Sequence, residues 1–356
     1  MSKKMTEVVA KEVIIVGGGP AGLKAGEMAE EYGMDYVILE QGSVGQGWKD
    51  MRPDLRFLSP CHPQRDWTSL SDRFPIWKLD VDRPYCTAKQ FTRYMERFAD
   101  YFKLNILEQT QANDITHDGD AFIVQTTQGL QYKAPFLVVG TGIFGNPFFP
   151  QIPGIKNNPY VMHSHQYMGY EPFKQKKVLV VGAGNSAAEV AIDLCGWSLV
   201  YLITRKDLQY FSDTKKLYHI RGISESYLKE LISMEIIRYR AHQDIQKIDQ
   251  NMVYFKDWKM EADKIIFATG YHANIDILRS FKLRVNKNNY PEVSMSGESI
   301  QYPNLFFIGP LSYQTSASLV MHGFVKYIPH TMQRISEKLR EGQSYFEELD
   351  KQKPST

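Results

Sequence analysis

Cysteine is scarce in this 356-residue chain. Cys61, Cys86 and Cys195 are the only three, and no two of them stand in a Cys-x-x-Cys spacing. Neither a zinc site nor a redox-active dithiol of that kind is therefore written here, and no metal is expected. A surplus of one charge is also lacking: 42 basic and 40 acidic residues are well mixed and leave a formal charge of +2. No polybasic tail or acidic block suggests a nucleic-acid or membrane partner. Long apolar runs are missing too, since stretches such as Leu305 to Ile308 and Val178 to Val181 are strand-sized, far below the roughly 18 residues of a membrane span. The opening segment MSKKMTEVVAKE has no signal-peptide hydrophobic region. A cytoplasmic enzyme acting on a small molecule is the simplest expectation, with a homodimer left open, and the length suits two domains.

Against these absences stand two copies of one pattern. In the first, Val13 to Val16 read as a buried strand, and Gly17, Gly19 and Gly22 form G-x-G-x-x-G at the start of helical spacing. The first glycine permits a tight turn, the second lets backbone approach a pyrophosphate, and the third lets helix and strand pack closely. Gly33 closes the helix, and a second strand, Tyr36 to Leu39, ends at Glu40, a carboxylate placed to accept hydrogen bonds from a ribose diol. In the second copy Val178 to Val181 lead into Gly182, Gly184 and Ala187, a helix closed near Gly196, and the strand Leu199 to Ile203.

Overlaying the copies on their first glycines puts Glu40 of one opposite Arg205 of the other. A carboxylate repels a ribose 2′-phosphate, whereas a guanidinium grips it as a charge-assisted pair. The first site therefore suits FAD and the second NADPH, with Lys206 and Thr204 beside Arg205; use of NADH is the intermediate case. The expected fold class is α/β with two Rossmann-like dinucleotide-binding domains.

Two further glycine-bearing strands, FLVVGTGIFGNP and IIFATGY, mark borders between the domains. They predict a discontinuous FAD-binding domain, residues 1–155 and 271–356, with an NADPH-binding domain, 156–270, inserted in it. Ala121 to Lys133 and the stretch from Met252 read as hairpins that add an antiparallel layer to each. Near the end of the chain Gly309 closes a strand, and Thr315 or Ser316 offers an N-cap for a helix from about Ala317, whose N-terminus could face the flavin N1 and C2 carbonyl.

Taken together, GGGPAGL, Glu40, GQGW at 45–48, TG at 141–142, HSHQY at 163–167, GAGNSAAEVA and ATGY resemble flavin-containing monooxygenases, the short bacterial and YUCCA-like members above all. The resemblance covers most of residues 10–330. It implies that NADPH reduces FAD, that O2 adds at flavin C4a, and that the resulting hydroperoxide transfers one oxygen to a small organic substrate while the other leaves as water. Sulfide, amine, ketone and 2-oxo acid substrates all stay open. By position, Gly47 and Trp48 would touch the flavin, Asn185 and Ser186 would sit at the NADPH pyrophosphate, and Gly309 would join the flavin site. His163 and Tyr167 belong to the segment that carries the family signature and are candidate catalytic residues. Only the second half of that signature survives, because Asn157 and Pro159 replace its first two fixed residues. Ser59 stands roughly where many members have an asparagine near the flavin, and Cys61, His62, Gln64 and Trp67 follow it as a candidate substrate-side wall.

A disulfide reductase is the rival reading. Such enzymes pass electrons through a thiol near the flavin, and bacillithiol disulfide reductases carry a cysteine inside the first glycine turn, where this chain has Ala21. Cys61 is the one remaining candidate for that role. An NADPH oxidase releasing peroxide needs only the parts already identified, and a non-catalytic redox sensor would need the second site to be lost.

Overall fold

The structure is a computed structural model; it describes the backbone of residues 8–312 and 319–351 and the side chains of these up to residue 342. The chain falls into two units, one of residues 1–50, 59–145 and 273–356, the other of residues 51–58 and 146–272.

The first unit is built on a five-stranded parallel sheet in the order Leu305–Phe307, Phe136–Val139, Val13–Val16, Tyr36–Leu39, Ile106–Leu107. Every residue of VIIV and YVIL is buried, as a parallel strand covered on both faces requires. Ile14, Val16, Val37 and Leu39 point to one side and pack against Ile115, Phe122, Val124 and Tyr132 of a second sheet. That sheet runs Val8–Ala10, Gln131–Ala134, Phe122–Thr126, Ala112–His117, with the last three antiparallel as the hairpin pattern predicts. Each such aliphatic side chain contributes about 1.5–3 kcal/mol by leaving water.

Helix Pro20–Tyr32 follows the central strand with proline at its start, and it stops at Gly33, whose left-handed φ of 67° lets its N–H reach the carbonyls of Ala29 and Glu30. Helix Ala88–Phe102 begins at a Thr87–Gln90 capping box and buries Phe91, Tyr94, Met95 and Phe98 along one face. The final described helix, Met321–Lys351, begins beyond the expected cap; residues 315–317 lie outside the described residues.

The second unit repeats the plan. Its parallel sheet runs Val161–His163, Lys264–Phe267, Lys177–Val181, Leu199–Ile203, Ile237–Arg240, and the three-stranded antiparallel sheet Lys247–Asp249, Met252–Tyr254, Lys259–Glu261 adds the second layer. Helix Asn185–Leu194 leaves the central strand and ends at Cys195, so the left-handed Gly196 (φ 85°) lies one residue past the cap.

Candidate functional site

The first glycine turn is shaped by contacts that no side chain could share. Gly17 has φ 110°, and a Cβ on it would stand 2.6 Å from the carbonyl oxygen of Gly140. A Cβ on Gly22 would stand 1.8 Å from the carbonyl oxygen of Gly17. Around Gly19 there is open space, and Gly19 caps its helix with no side-chain acceptor, so the first N–H groups of Pro20–Tyr32 keep the positive end of the helix dipole available to an anion. Glu40 is buried and accepts N–H bonds from Gly18 (2.6 Å) and Gly42 (2.8 Å). Burial pushes its carboxyl above the ordinary range, and those two N–H donors oppose the shift. A pyrophosphate at the turn and a ribose diol at Glu40 fit this cradle.

Around it lie the other residues expected on the flavin side. Gly47 and Trp48 sit in the short helix Gln46–Lys49, and the Trp48 ring meets Phe91 and Phe144 edge-on at 5.3 and 5.2 Å. Gly309 opens the 3-10 turn Gly309–Ser312 with φ 66°, and a Cβ there would meet the Ala21 Cβ at 2.9 Å. Ser59 is buried, and its carbonyl accepts the Thr68 hydroxyl at 2.9 Å. Of the proposed wall, Trp67 stacks on His322 at 4.7 Å with Arg65 over its ring, Gln64 is exposed, and Cys61 is fully buried.

The second cradle is alike in backbone and different in charge. Gly182 has φ 152°, and a Cβ there would stand 2.3 Å from the carbonyl oxygen of Ala268. Gly184 faces open space and caps helix Asn185–Leu194 without a side-chain acceptor. Arg205 and Lys206 are exposed at the end of Leu199–Ile203, while Thr204 is buried with its hydroxyl 3.1 Å from that of Tyr239. A nucleotide carrying a 2′-phosphate fits this donor set. Asn185 is committed elsewhere: its amide accepts from the Arg221 backbone N–H at 3.2 Å and donates to the His219 carbonyl at 3.1 Å. Its backbone N–H, at the start of the helix, remains for a phosphate.

His163 and Tyr167 are both buried. His163 is fully buried between the rings of Phe149 and Tyr271, and its Nδ1 accepts the His165 N–H at 3.1 Å. Burial lowers its pKa to about 4, so the ring is neutral at physiological pH. Tyr167 is buried, and its hydroxyl donates to Asp193 at 2.5 Å. The same Asp193 carboxylate takes an ion pair from Arg52 at 2.8 Å, and the Arg52 guanidinium lies over the Tyr167 ring. Burial and Asp193 drive the phenol well above its ordinary pKa.

A titratable residue that the sequence reading did not single out also lies in this unit. Glu189 lines a cavity of about 60 Å³ with Arg52, Leu55, His165, Ser186 and Tyr271. Burial raises its carboxyl to about 7, against the pull of Arg52 and Arg221. The available signal was spacing: Ser186, Glu189 and Asp193 recur at i, i+3 and i+7 and share one face of the second dinucleotide helix. Arg221, nine-tenths buried and held at the start of that helix through Asn185, is a second omission.

These features define an α/β flavoprotein oxidoreductase fold with two dinucleotide-binding turns. The family model for pyridine nucleotide-disulphide oxidoreductases matches residues 14–309, and the chain belongs to that family. Among sequence relatives, a probable indole-3-pyruvate monooxygenase of Arabidopsis thaliana, YUCCA1, is 30% identical over 51% of this chain and 44% of its own length. The match thus spans less than half of that relative. Among solved structures, the bacillithiol disulfide reductase Bdr of Staphylococcus aureus superposes with a TM-score of 0.81 at 21% identity, covering 93% of this chain and 99% of its own. A flavin-containing monooxygenase of Stenotrophomonas maltophilia gives 0.80 at 20% identity over the same shares. The resemblance to flavin monooxygenases read from the motifs agrees with these likenesses, and the cofactors they indicate are a flavin and a nicotinamide nucleotide. No described helix is long and apolar enough to cross a membrane.

Proposed function

We propose that the protein is an FAD-dependent, NADPH-consuming monooxygenase that uses O2 to oxygenate a small organic molecule at sulfur, nitrogen or a carbonyl-bearing carbon. FAD is assigned to the domain of residues 1–155 and 271–356, and NADPH to 156–270. The observation that carries the reading is the pair of matching cradles whose strands end in opposite charge, Glu40 and Arg205, in a chain without Cys-x-x-Cys. Likeness to YUCCA1 supports the oxygen chemistry.

Bound together, the two cofactors supply hydride transfer to the flavin and activation of O2. The chain's own residues bind and orient. Glu40 receives the FAD ribose, the N–H groups after Gly19 and Gly184 receive the two pyrophosphates, and Arg205 with Lys206 receives the 2′-phosphate. Trp48, packed on Phe91 and Phe144, supplies an apolar wall that excludes water. Glu189, poised near neutrality, holds or releases a proton beside Ser186.

The test is a panel of sulfides, amines, ketones and 2-oxo acids under isotopically labelled O2. Label in one product, with NADPH consumed one for one, supports the proposal. NADPH oxidation that yields only peroxide with every substrate indicates an oxidase. Turnover of a low-molecular-weight disulfide without O2 indicates a reductase, the reading favoured by the Bdr likeness.

A further inference from the structure

We propose that Cys61 and Cys86 form an oxidisable thiol pair, which a hydroperoxide converts into an intramolecular disulfide. This goes beyond the proposed activity and does not depend on it.

The two residues are 25 positions apart, yet the fold brings them together. Cys61 opens the small hairpin Cys61–His62 and Arg65–Asp66. Its N–H donates to the Pro84 carbonyl at 2.7 Å, and its Sγ lies 3.3 Å from that oxygen and 3.4 Å from the Asp82 carbonyl. Cys86 follows Pro84 by two residues and directly precedes the Thr87 capping box. Both cysteines are fully buried and interact as neighbours, while the Cys61 S–H donates to the Pro84 and Asp82 carbonyls. Each is held by backbone: Cys61 by its hairpin and the Trp67 N–H to Pro60 carbonyl bond of 2.8 Å, Cys86 by the start of a fifteen-residue helix. Cys195, in the other unit, has its Sγ on the Ile192 carbonyl at 2.9 Å and no thiol partner among the described residues.

The pair is also unequal in the way this chemistry uses. Interaction with Cys86, and more weakly with Arg83, lowers the Cys61 pKa against burial and Asp66, so Cys61 is the more readily ionised of the two; Cys86 is driven up and stays a thiol. The Cys61 sulfur attacks one oxygen of the hydroperoxide, the O–O bond breaks, and the other oxygen leaves with a proton as water or alcohol. The sulfenic acid so formed on Cys61 is attacked by the Cys86 sulfur, which expels its hydroxyl, and this leaves as water with the Cys86 proton. Two thiols lose two electrons and two protons, and one peroxide is reduced. Because both sulfurs are buried, the oxidant must enter by local opening of the 59–87 segment, so the reaction is slow beside that of an exposed thiol.

The flavin-loaded full-length protein is reduced, freed of reductant and incubated with hydrogen peroxide. It is then denatured in a maleimide, digested without reduction and analysed by mass spectrometry. The expected result is one linked peptide pair, Cys61 to Cys86, lighter by two hydrogens, reversed by dithiothreitol, with no linkage to Cys195. Cys86→Ser should lose the linkage and accumulate Cys61 sulfinic acid, with flavin content unchanged. Two outcomes overturn the proposal: Cys61 and Cys86 both recovered as maleimide adducts after Cys195 has oxidised, or cross-links scattered among all three cysteines. The wild-type mapping decides the matter even if a variant folds poorly.

Discussion

Replacing Arg205 by alanine should separate the two nicotinamide cofactors. The side chain is exposed at the strand end that follows the second glycine turn. A charge-assisted hydrogen bond contributes roughly 1.5–3 kcal/mol when well shielded, and water at this open site reduces that toward the lower figure. At about 1.4 kcal/mol per factor of ten, the expected loss is roughly tenfold in NADPH affinity. NADH has no 2′-phosphate, so its binding should change little. The preference should also shrink in wild type as salt rises, since the screening length is about 8 Å at physiological ionic strength. The assay is the Kd of NADP+ and NAD+ by titration of flavin or tryptophan fluorescence, with KM for both reduced forms alongside. An unchanged ratio of NADPH to NADH in Arg205→Ala would refute the reading of Arg205 as the 2′-phosphate ligand. Equal weakening of both cofactors would move the residue to the pyrophosphate instead.

Other outcomes follow from the same geometry. Gly22→Ala forces a Cβ to within 1.8 Å of the Gly17 carbonyl oxygen, so the protein should purify without flavin, seen as a lost visible spectrum. Glu189 binds its proton more tightly in the fold than in the unfolded chain, so wild-type stability should fall as pH rises from about 4.5 to about 7. Glu189→Gln should remove that slope and gain up to about 3 kcal/mol relative to wild type above the window; parallel denaturation curves across the window would count against a raised carboxyl. Thr87→Ala removes the capping box of Ala88–Phe102 and should cost about 1 kcal/mol, a fall in Tm of roughly 2–4 °C.

The parts of the site that could be read from the sequence are those written in contiguous residues. Strand, glycine turn, helix and second strand follow one another within about thirty positions, so Gly17, Glu40, Gly182 and Arg205 could be placed by periodicity and turn chemistry alone. What could not be read depends on partners brought from afar. Tyr167 meets Asp193, and Asp193 meets Arg52, only once the chain is folded. The contacts of the Asn185 amide with residues 219–221 have no mark in the sequence around it. Cys61 looks solitary until Pro84 draws Cys86 beside it. Contacts also group residues that the sequence keeps apart: the second folded unit spans 146–272 and includes 51–58, whose Arg52 pairs with Asp193. A short segment that leaves one unit and joins another has no compositional mark.

The most direct test of the central claim is rapid-mixing absorbance on the flavin-loaded protein. The enzyme is reduced with NADPH under anaerobic conditions and mixed with O2, and the spectrum is followed until oxidised flavin returns. A monooxygenase is predicted to show a transient absorbance distinct from both reduced and oxidised flavin, decaying faster once a competent substrate is present. Direct return to oxidised flavin with peroxide released one for one, at a rate no substrate alters, would contradict it.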